Sequence, residues 1–420
     1  MNKVIGLTLA CAFVWLFSLS PLGAEEMSPE QYAARAVQFV KDGKQAEALA
    51  DFNKSVELAP DKPIHYRNRA ALFALTKQWD KAITDYDMVL KLGKNDPATT
   101  FNRGYAYVQI GKLDQALPDF DAVLEAQPDN ERALRYRAYI YAAQKQHAMA
   151  VQDLTKLIDK NPSDPQSYKA RAVANAAQAK WSDAIADYTK ALEFNPKDLE
   201  SVSARAMAYA RAGDKDKEIS DLNTVLESKP DNLDLLRLRA QAEYDKNEYD
   251  SAIVDYSKAI ELKPDDPSLF AARGFARLKK GDNNGGVEDF SKAIELKPDE
   301  ASYHEARLYL YTAEKNSQKA IDDLTHLVSL KPEETGLTMR RADLYLGLNQ
   351  YDEALADYEK VLAKDAKNIA AMAGKGEVIA KKGDRKTGAA QLQEALRLAT
   401  DPKEKEEIQA KLRGIGVGPL

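Results

Sequence analysis

The amino-acid sequence repeats itself every 34 residues over most of its length. The segment 54–60 recurs in the same frame at 156–162, 190–196, 258–264 and 292–298. A period of this length indicates a short supersecondary unit that stacks on its neighbours, because one such unit cannot bury its own apolar face. We number the residues of each unit as places 1 to 34. Eleven units follow one another without insertion or deletion, at 29–62, 63–96, 97–130, 131–164, 165–198, 199–232, 233–266, 267–300, 301–334, 335–368 and 369–402.

Within each unit, the residue pattern fits two amphipathic helices. Large residues at places 4 and 11 flank a small residue at place 8, and a small residue at place 20 precedes a large one at place 24. Proline recurs at place 32, where a helix must stop. A capping residue and a proline open several units: Ser28-Pro29, Asp96-Pro97, Asp164-Pro165 and Asp266-Pro267. The sequence therefore predicts an all-α chain with two helices in each unit.

This alternation of aromatic and small residues, closed by proline, resembles the tetratricopeptide repeat family. The variety is the one that reads Asn-Arg-Gly-Tyr in the first helix and Asp-Tyr-x-Lys-Ala in the second, and the resemblance covers residues 29–402. It implies a solenoid of stacked antiparallel helical hairpins in a right-handed superhelix, with the first helices lining a concave groove that commonly binds peptides or protein segments. It implies no particular partner, because function belongs to sites and not to folds.

Ten consecutive units carry arginine at place 7 and aspartate at place 23. The last unit has Lys375 and Gln391 instead, so both charged residues disappear together. Joint presence and joint loss indicate that the two charges pair, with the guanidinium as a planar fork for the carboxylate. We hypothesise a ladder in which the aspartate of one unit meets the arginine of the next, for example Asp119 with Arg137. The alternative is an arginine stripe along the groove that binds anionic ligands.

Partner binding is expected at places 2, 5, 6, 9 and 13, which lie on the first helix and are not used by the repeat core. In the second to fifth units these places combine aromatic residues with arginine and asparagine, a composition typical of binding hot spots. Elsewhere they carry mostly alanine or other small residues. The alternative is that the aromatic residues only pack between hairpins. The candidate partner-binding residues are Arg67, Asn68, Phe101, Asn102, Tyr105, Gln109, Arg132, Arg135, Tyr136, Tyr139 and Lys169.

The resemblance also allows a test for the carboxylate clamp that some family members use. That clamp needs lysine and asparagine at places 5 and 9 of one unit, then asparagine and basic residues in the next two. Arg67, Asn102 and Arg132 match it loosely, but Ala71 and Tyr136 do not. Recognition of a chaperone tail is therefore disfavoured.

Residues 1–24 have the composition of a secretory signal peptide. Lys3 gives a positive start, residues 4–17 are uncharged, and Gly23-Ala24 offers small residues for cleavage. We predict cleavage after Ala24 and export to the bacterial periplasm or the extracellular space. The alternative is an uncleaved anchor, because residues 4–24 are long enough to span a bilayer. In either case the positive start places the repeats outside the cytoplasm.

Composition argues against catalysis and against nucleic-acid binding. The formal net charge is −6, the only cysteine is Cys11 within the leader, and the four histidines lack the spacing of metal ligands. No glycine-rich phosphate loop is present. We predict no enzymatic activity, cofactor or metal. Residues 403–420 are predicted to form a C-terminal capping helix and tail.

The expected function is that of an exported scaffold that binds proteins or peptide segments in its groove. Membrane association is expected only through the N-terminal segment. The alternative is a structural adaptor in a cell-envelope or polysaccharide-export assembly.

Overall fold

The computed structural model describes residues 27–93 and 96–417. These residues form helices joined by turns, and there is no β-strand among them. The predicted leader, residues 1–24, lies outside the described residues. The helices are α1 Pro29–Lys41, α2 Gln45–Leu58, α3 Pro63–Leu75, α4 Trp79–Leu92, α5 Pro97–Gln109, α6 Leu113–Ala126, α7 Glu131–Ala143, α8 His147–Lys160, α9 Pro165–Ala176, α10 Trp181–Phe194, α11 Leu199–Ala212, α12 Lys215–Ser228, α13 Leu233–Asp245, α14 Tyr249–Leu262, α15 Pro267–Lys280, α16 Asn283–Leu296, α17 Ala301–Ala313, α18 Ser317–Leu330, α19 Thr335–Gly347, α20 Tyr351–Lys364, α21 Ile369–Lys381, α22 Arg385–Leu398 and α23 Pro402–Gly414.

The chain divides into two compact units, Met1–Ala212 and Gly213–Leu420. From here on, the first unit and the second unit are these two parts of the chain, and each 34-residue sequence unit is called a repeat. Helices α1 to α11 lie in the first unit and α12 to α23 in the second. In the described part of the chain, no helix combines the length and the apolar character that a membrane crossing requires.

The helices follow the 34-residue frame closely. Each odd-numbered helix from α1 to α21 begins at place 1 of a repeat, and each even-numbered helix from α2 to α22 begins at place 17. Within each unit, successive helices pack against each other in sequence order. The prediction of an all-α chain with two helices in each repeat is confirmed.

The turn between the two helices of a repeat depends on one left-handed residue at place 15. Glycine occupies this place in Gly43 and Gly111, with φ of +74° in both, whereas Ala179 is held there at +57°. The amide that follows donates back to the carbonyl of place 11, as Lys112 N–H does to Tyr107 O at 2.9 Å. This is the Schellman arrangement that satisfies the last carbonyls of a helix.

The junction between repeats is built from the predicted caps. The side chains of Asp96, Asp164 and Asp266 each accept a hydrogen bond from the backbone N–H of the second helical residue, and proline occupies the first. Ser28 caps α1 by accepting from the N–H of Gln31, the third helical residue. Each cap satisfies a backbone donor that the helix leaves unpaired and fixes where the next repeat starts.

Close packing between the paired helices requires small residues at places 8 and 20. In the third repeat a Cβ added to Gly104 would lie 3.0 Å from Asp119 Cβ and 3.3 Å from the ring of Phe120. Phe120 is fully buried beside Ala116, so the small residues let the axes approach while the large one fills the space beside them.

The arginine of place 7 pairs with the aspartate of its own repeat, and not with that of a neighbour. The hypothesis of an Asp119–Arg137 contact is wrong. Arg137 Nε donates to Asp153 Oδ2 at 2.7 Å, and Asp119 accepts hydrogen bonds from Arg103 instead. The two helices of one repeat cross where places 7 and 23 face each other, which brings these side chains together. The same two-pronged pairing joins Arg35–Asp51, Arg69–Asp85, Arg103–Asp119, Arg137–Asp153 and Arg171–Asp187 in the first unit and Arg239–Asp255, Arg273–Asp289, Arg307–Asp323 and Arg341–Asp357 in the second.

The link between repeats comes from place 25, which sequence reasoning missed. Arginine Nη1 donates to a polar residue at place 25 of the preceding repeat, for example from Arg103 to Asp87 at 2.7 Å. In the last repeat, Lys375 replaces the arginine and pairs with Glu359 at the same place, at 2.9 Å. The place-25 acceptors of arginine are Asn53, Asp87, Asp121, Thr155, Thr189, Asn223, Ser257, Ser291 and Thr325.

These contacts disfavour the alternative of an anion-binding arginine stripe. The hydrogen bonds that Arg103 donates to Asp119 and Asp87 raise its pKa, even though burial opposes the charged form. Its Nε and both terminal nitrogens already donate to carboxylates within the protein. An external anion would have to displace these carboxylates.

Candidate protein-interaction site

The predicted partner-binding residues all lie on first helices of the first unit. The helical spacing of places 2, 5, 6, 9 and 13 brings them to one side of each helix. We call this side the first-helix face. By helix, the residues are Arg67 and Asn68 on α3, Phe101, Asn102, Tyr105 and Gln109 on α5, Arg132, Arg135, Tyr136 and Tyr139 on α7, and Lys169 on α9.

Three of the four candidate aromatic residues pack against one another and against the core. Tyr136 stacks on Phe120 at 5.5 Å between ring centroids and meets Phe101 and Tyr105 edge to face at 5.9 and 5.4 Å. Tyr105 also contacts Trp79 at 5.8 Å. Phe101 is buried, and burial raises the pKa of Tyr136. These rings therefore join the third and fourth repeats, which is the packing role that the alternative reading expected.

Arg132 lies at the edge of this aromatic cluster. Its guanidinium carbon stands 4.3 Å from the centroid of the Phe101 ring, a cation–π contact at the surface of the protein. Gln109 is exposed, and Asn68 and Asn102 are half-buried on the same face. These polar candidates thus remain accessible to a partner.

The candidate cations at place 5 are paired with the cap of the following repeat. Arg67 contacts Asp96 at 2.8 Å, and Arg135 contacts Asp164 at 2.9 Å. Lys169 contacts Asp198 at 3.1 Å. Their charges are therefore balanced within the protein, and no cluster of unmatched cations is available here for a partner's carboxylate.

Hydrogen bonding lowers the pKa of the Asp164 carboxyl group, one of these caps. Burial by itself would raise the pKa of the Asp164 carboxyl group. Hydrogen bonds from Ser167 and Arg135 outweigh that effect, and the pKa is lowered. The carboxylate therefore keeps its charge, and it can hold both the helix end and the neighbouring arginine.

Tyr139 differs from the other aromatic candidates because it is 56% exposed. It stands at place 9 of α7, and the same place carries Val173 on α9 and Met207 on α11, which are 52% and 55% exposed. We call Tyr139, Val173 and Met207 the place-9 row. Places 2, 5, 6, 9 and 13 were expected to be mostly small outside the second to fifth repeats, and this is wrong for place 9, where later repeats carry Met207, Phe275 and Tyr309. The sequence signal was available, since large apolar residues stand at a place that the repeat core does not use.

The place-9 row forms an accessible apolar strip on the first helices of three consecutive repeats. Helices that pack side by side lie about 8–10 Å apart, and we expect residues at one place in successive repeats to recur at about this distance. Such a strip bordered by satisfied ion pairs has the apolar centre and polar rim of a protein interface. Within the described ranges, no group of three or more His, Cys, Asp or Glu side chains is arranged to hold a metal ion.

Two sequence models of one family match the chain. The model described as "Tetratricopeptide repeat" matches residues 34–97, 101–165, 169–232 and 339–404. The model described as "TPR repeat" matches residues 240–281. No curated protein matches the chain.

Three similar solved structures are each less than 20% identical to this chain. A tetratricopeptide repeat protein from Parabacteroides merdae ATCC 43184 is 19% identical with a TM-score of 0.42, over 59% of this chain and 98% of that one. YrrB, described as a TPR protein with an unusual peptide-binding site, is 16% identical with a TM-score of 0.40, over 42% and 90%. Naa15/Naa10 bound to HypK-THB is 16% identical with a TM-score of 0.45, over 92% and 68%.

The family models together match more than half of the chain, and its paired helices begin at the same two places of every 34-residue repeat. This protein belongs to the tetratricopeptide repeat family.

Proposed function

We propose that this protein is an exported scaffold that binds a segment of another protein on the first-helix face of its first unit. Tetratricopeptide repeat proteins are protein-interaction scaffolds. The observation that carries the proposal is the place-9 row, in which three consecutive repeats each expose more than half of a large apolar side chain. We expect these side chains to form an exposed apolar patch on successive repeats, and such patches are typical of interaction sites.

The place-9 row supplies the binding energy in this proposal. Complete burial of one such side chain contributes about 1.5–3 kcal/mol relative to exposure. The ion pairs beside it are already made within the protein, so they favour an apolar partner segment over a highly charged one. A segment in the polyproline II conformation advances about 9 Å every three residues and brings every third side chain to one face, which matches the expected spacing between first helices. The partner is therefore expected to present an apolar side chain at about every third residue.

The remaining candidates form the rim of the proposed site. Arg132, Gln109, Asn68 and Asn102 offer polar groups that can hydrogen-bond to a partner backbone. Phe101, Tyr105 and Tyr136 support the surface from below, because their rings pack between repeats. Their replacement would disturb the fold, so they are unsuitable for testing recognition.

Crosslinking and affinity capture from the native cell envelope tests the binding proposal. The bait is the chain without residues 1–24, compared with the double variant Tyr139→Ala/Met207→Ala. The matched control is Val254→Ala/Leu262→Ala, which truncates two exposed apolar residues on α14 of the second unit. A partner retained by the wild type and by the control, but reduced at least tenfold with the row variant, supports the site. Equal capture by all three chains contradicts it.

Export is the second half of the proposal, and it rests on residues 1–24. The positive start, the apolar stretch and the small residues at Gly23-Ala24 support it. N-terminal sequencing of the protein purified from its native cells tests it directly. A first residue of Glu25 in an envelope or extracellular fraction is expected. An intact N-terminus in the cytosolic fraction would contradict export.

A further inference from the structure

The second unit contains a cavity of about 530 Å³ bounded by α19, α21 and α23. These are the first helices of the last two repeats and the C-terminal helix. Small-molecule pockets in proteins typically occupy about 300–1,000 Å³, so the cavity is large enough for a ligand group. It lies in the second unit and is separate from the place-9 row.

One part of the cavity wall is apolar. Met339 and Leu346 of α19, Ile369 of α21 and Ile408 of α23 line it, together with small residues such as Ala373. Ile408 is buried, and it holds the C-terminal helix against the last repeat. The wall can therefore cover the aliphatic part of a bound group.

The other part of the wall carries four carboxylates, Asp343, Glu377, Glu404 and Glu407. Only two lysines, Lys381 and Lys411, line the same cavity. Charged groups of the cavity wall can neutralise one another. The ion-pair partners of each group therefore determine which ligand charge the cavity favours.

Both lysines form ion pairs with Glu377. Lys381 contacts its carboxylate at 3.3 Å, and Lys411 donates a hydrogen bond to it. Burial would raise the pKa of Glu377, but the two lysines outweigh burial and lower it. This carboxylate is ionised and compensated, and neither lysine is left to balance the remaining acids.

Asp343 is held by a neutral partner. The buried Tyr358 hydroxyl donates to Asp343 Oδ1 at 2.7 Å, while Asp343 itself is exposed. In the described part of the chain, neither Asp343 nor Glu404 nor Glu407 forms an ion pair. The cavity therefore presents uncompensated negative charge beside an apolar wall.

A basic side chain matches both parts of this wall. An anion would be repelled, and a purely apolar group would strip water from the carboxylates without replacing their hydrogen bonds. Lysine and arginine combine an aliphatic stem with a cationic head, which suits an apolar wall with carboxylates at its edge.

The surroundings of the cavity favour a side chain of a protein over a free amine. Tyr309 stands at place 9 of α17, one repeat before Asp343 at place 9 of α19, and it is 62% exposed. We expect residues at one place in neighbouring repeats to lie about 8–10 Å apart. Three residues of a segment in the polyproline II conformation span about 9 Å and bring the first and fourth side chains to one face. A segment with an apolar residue three positions from a basic one can reach both.

We propose that the cavity binds a lysine or arginine side chain of an extended protein segment, with an apolar residue of the same segment on Tyr309. The cationic head contacts Asp343 and Glu404, and the aliphatic stem lies on Met339 and Leu346. The site does not depend on the place-9 row, so either proposal can fail without the other.

Fluorescence anisotropy with a labelled synthetic peptide tests this proposal on the full chain. The probe is Gly-Ser-Phe-Ala-Ala-Arg-Ala-Ser-Gly, compared with the same peptide carrying citrulline, a neutral analogue of arginine, and with one carrying alanine for phenylalanine. The protein variants are Asp343→Asn/Glu404→Gln and the control Glu353→Gln/Glu406→Gln. The control removes two exposed charges that do not line the cavity.

The expected result is at least a tenfold loss of affinity for the cavity variant or the citrulline peptide, and less than twofold for the control. Equal losses in both protein variants would overturn the proposal, because they would reveal only general attraction of charge. Unchanged affinity of the wild type for the citrulline peptide would also overturn it. Spermidine binding more tightly than the peptide, with no effect of the phenylalanine change, would assign the cavity to free polyamines instead.

Discussion

Arg103 and Asp119 are joined by two parallel hydrogen bonds. Nε donates to Oδ2 at 3.0 Å and Nη2 donates to Oδ1 at 2.6 Å, and the third nitrogen, Nη1, reaches Asp87 of the preceding repeat at 2.7 Å. The Asp119 side chain is only 5% exposed. One guanidinium thus ties together both helices of its own repeat and the second helix of the repeat before it.

The substitution Arg103→Lys is expected to lower the free energy of unfolding of the first unit by about 2 kcal/mol. An ammonium group cannot reproduce the two parallel bonds, and Asp119 stays buried. Urea unfolding followed by the fluorescence of Trp79 and Trp181 measures this change. The double variant Arg103→Lys/Asp119→Gln copies Lys375 and Gln391 of the last repeat and is expected to cost less than the sum of the single changes. Additive costs would contradict direct coupling of the pair.

The substitution Ala179→Gly is expected to stabilise the first unit by about 0.5–1 kcal/mol. Ala179 is held at φ +57°, a conformation that is strained for a residue with a Cβ. Gly111 occupies the same place at +74°, so Gly111→Ala is the matched opposite change and is expected to destabilise by about 1 kcal/mol. Thermal unfolding measures both variants, and the melting temperature is expected to rise for Ala179→Gly and to fall for Gly111→Ala. A lower melting temperature for Ala179→Gly would show that the turn tolerates alanine without strain.

Stability of the second unit is expected to fall as the pH rises toward neutrality, because of Glu243. Burial, reinforced by Asp255, raises the pKa of this carboxyl group to about 7, and one of its oxygens is buried without a hydrogen-bond partner. The folded state thus favours the protonated form. Its contribution to stability is complete below the ordinary pKa of about 4.5 and is lost as the pH passes through about 7.

The substitution Glu243→Gln is expected to remove this pH dependence and to stabilise the second unit at pH 8 by up to about 3 kcal/mol. Glu227→Gln, at an exposed position of α12, is the control and is expected to leave the pH profile unchanged. Urea unfolding at pH 5 and at pH 8 measures both. A pH profile of Glu243→Gln that matches the wild type would mean that other groups cause the dependence.

The substitution Gly374→Ala is expected to destabilise the last repeats by about 2 kcal/mol or more. A Cβ at Gly374 would lie 2.3 Å from Cζ of Tyr358, which is fully buried and cannot move away freely. Gly347→Ala is the control, because no atom lies within 4 Å of the added Cβ. Thermal unfolding is expected to separate the two by several degrees, and equal melting temperatures would show that Tyr358 can relocate at little cost.

Much of the fold follows from the sequence alone, because its signals are local. Proline at place 32, the Asp-Pro caps and the helical spacing of large and small residues act within a few residues of chain, and each is repeated in phase. Helix starts at places 1 and 17 therefore agree with the sequence pattern in every repeat. The row at place 9 was also visible in the sequence, since Val173 and Met207 are large residues at a place outside the core.

Only the tertiary structure determines which side chains pair with each other within the protein. Asp119 stands 16 residues after Arg103 and 18 before Arg137, so a periodic sequence offers it two equivalent arginines. The crossing of the paired helices selects Arg103 and leaves the link between repeats to place 25. In the same way, Tyr136 and Tyr139 both stand on the first-helix face, yet only packing turns Tyr136 onto Phe120 and leaves Tyr139 exposed. Local patterns determine which helices form, whereas contacts between residues far apart in the chain depend on how those helices cross.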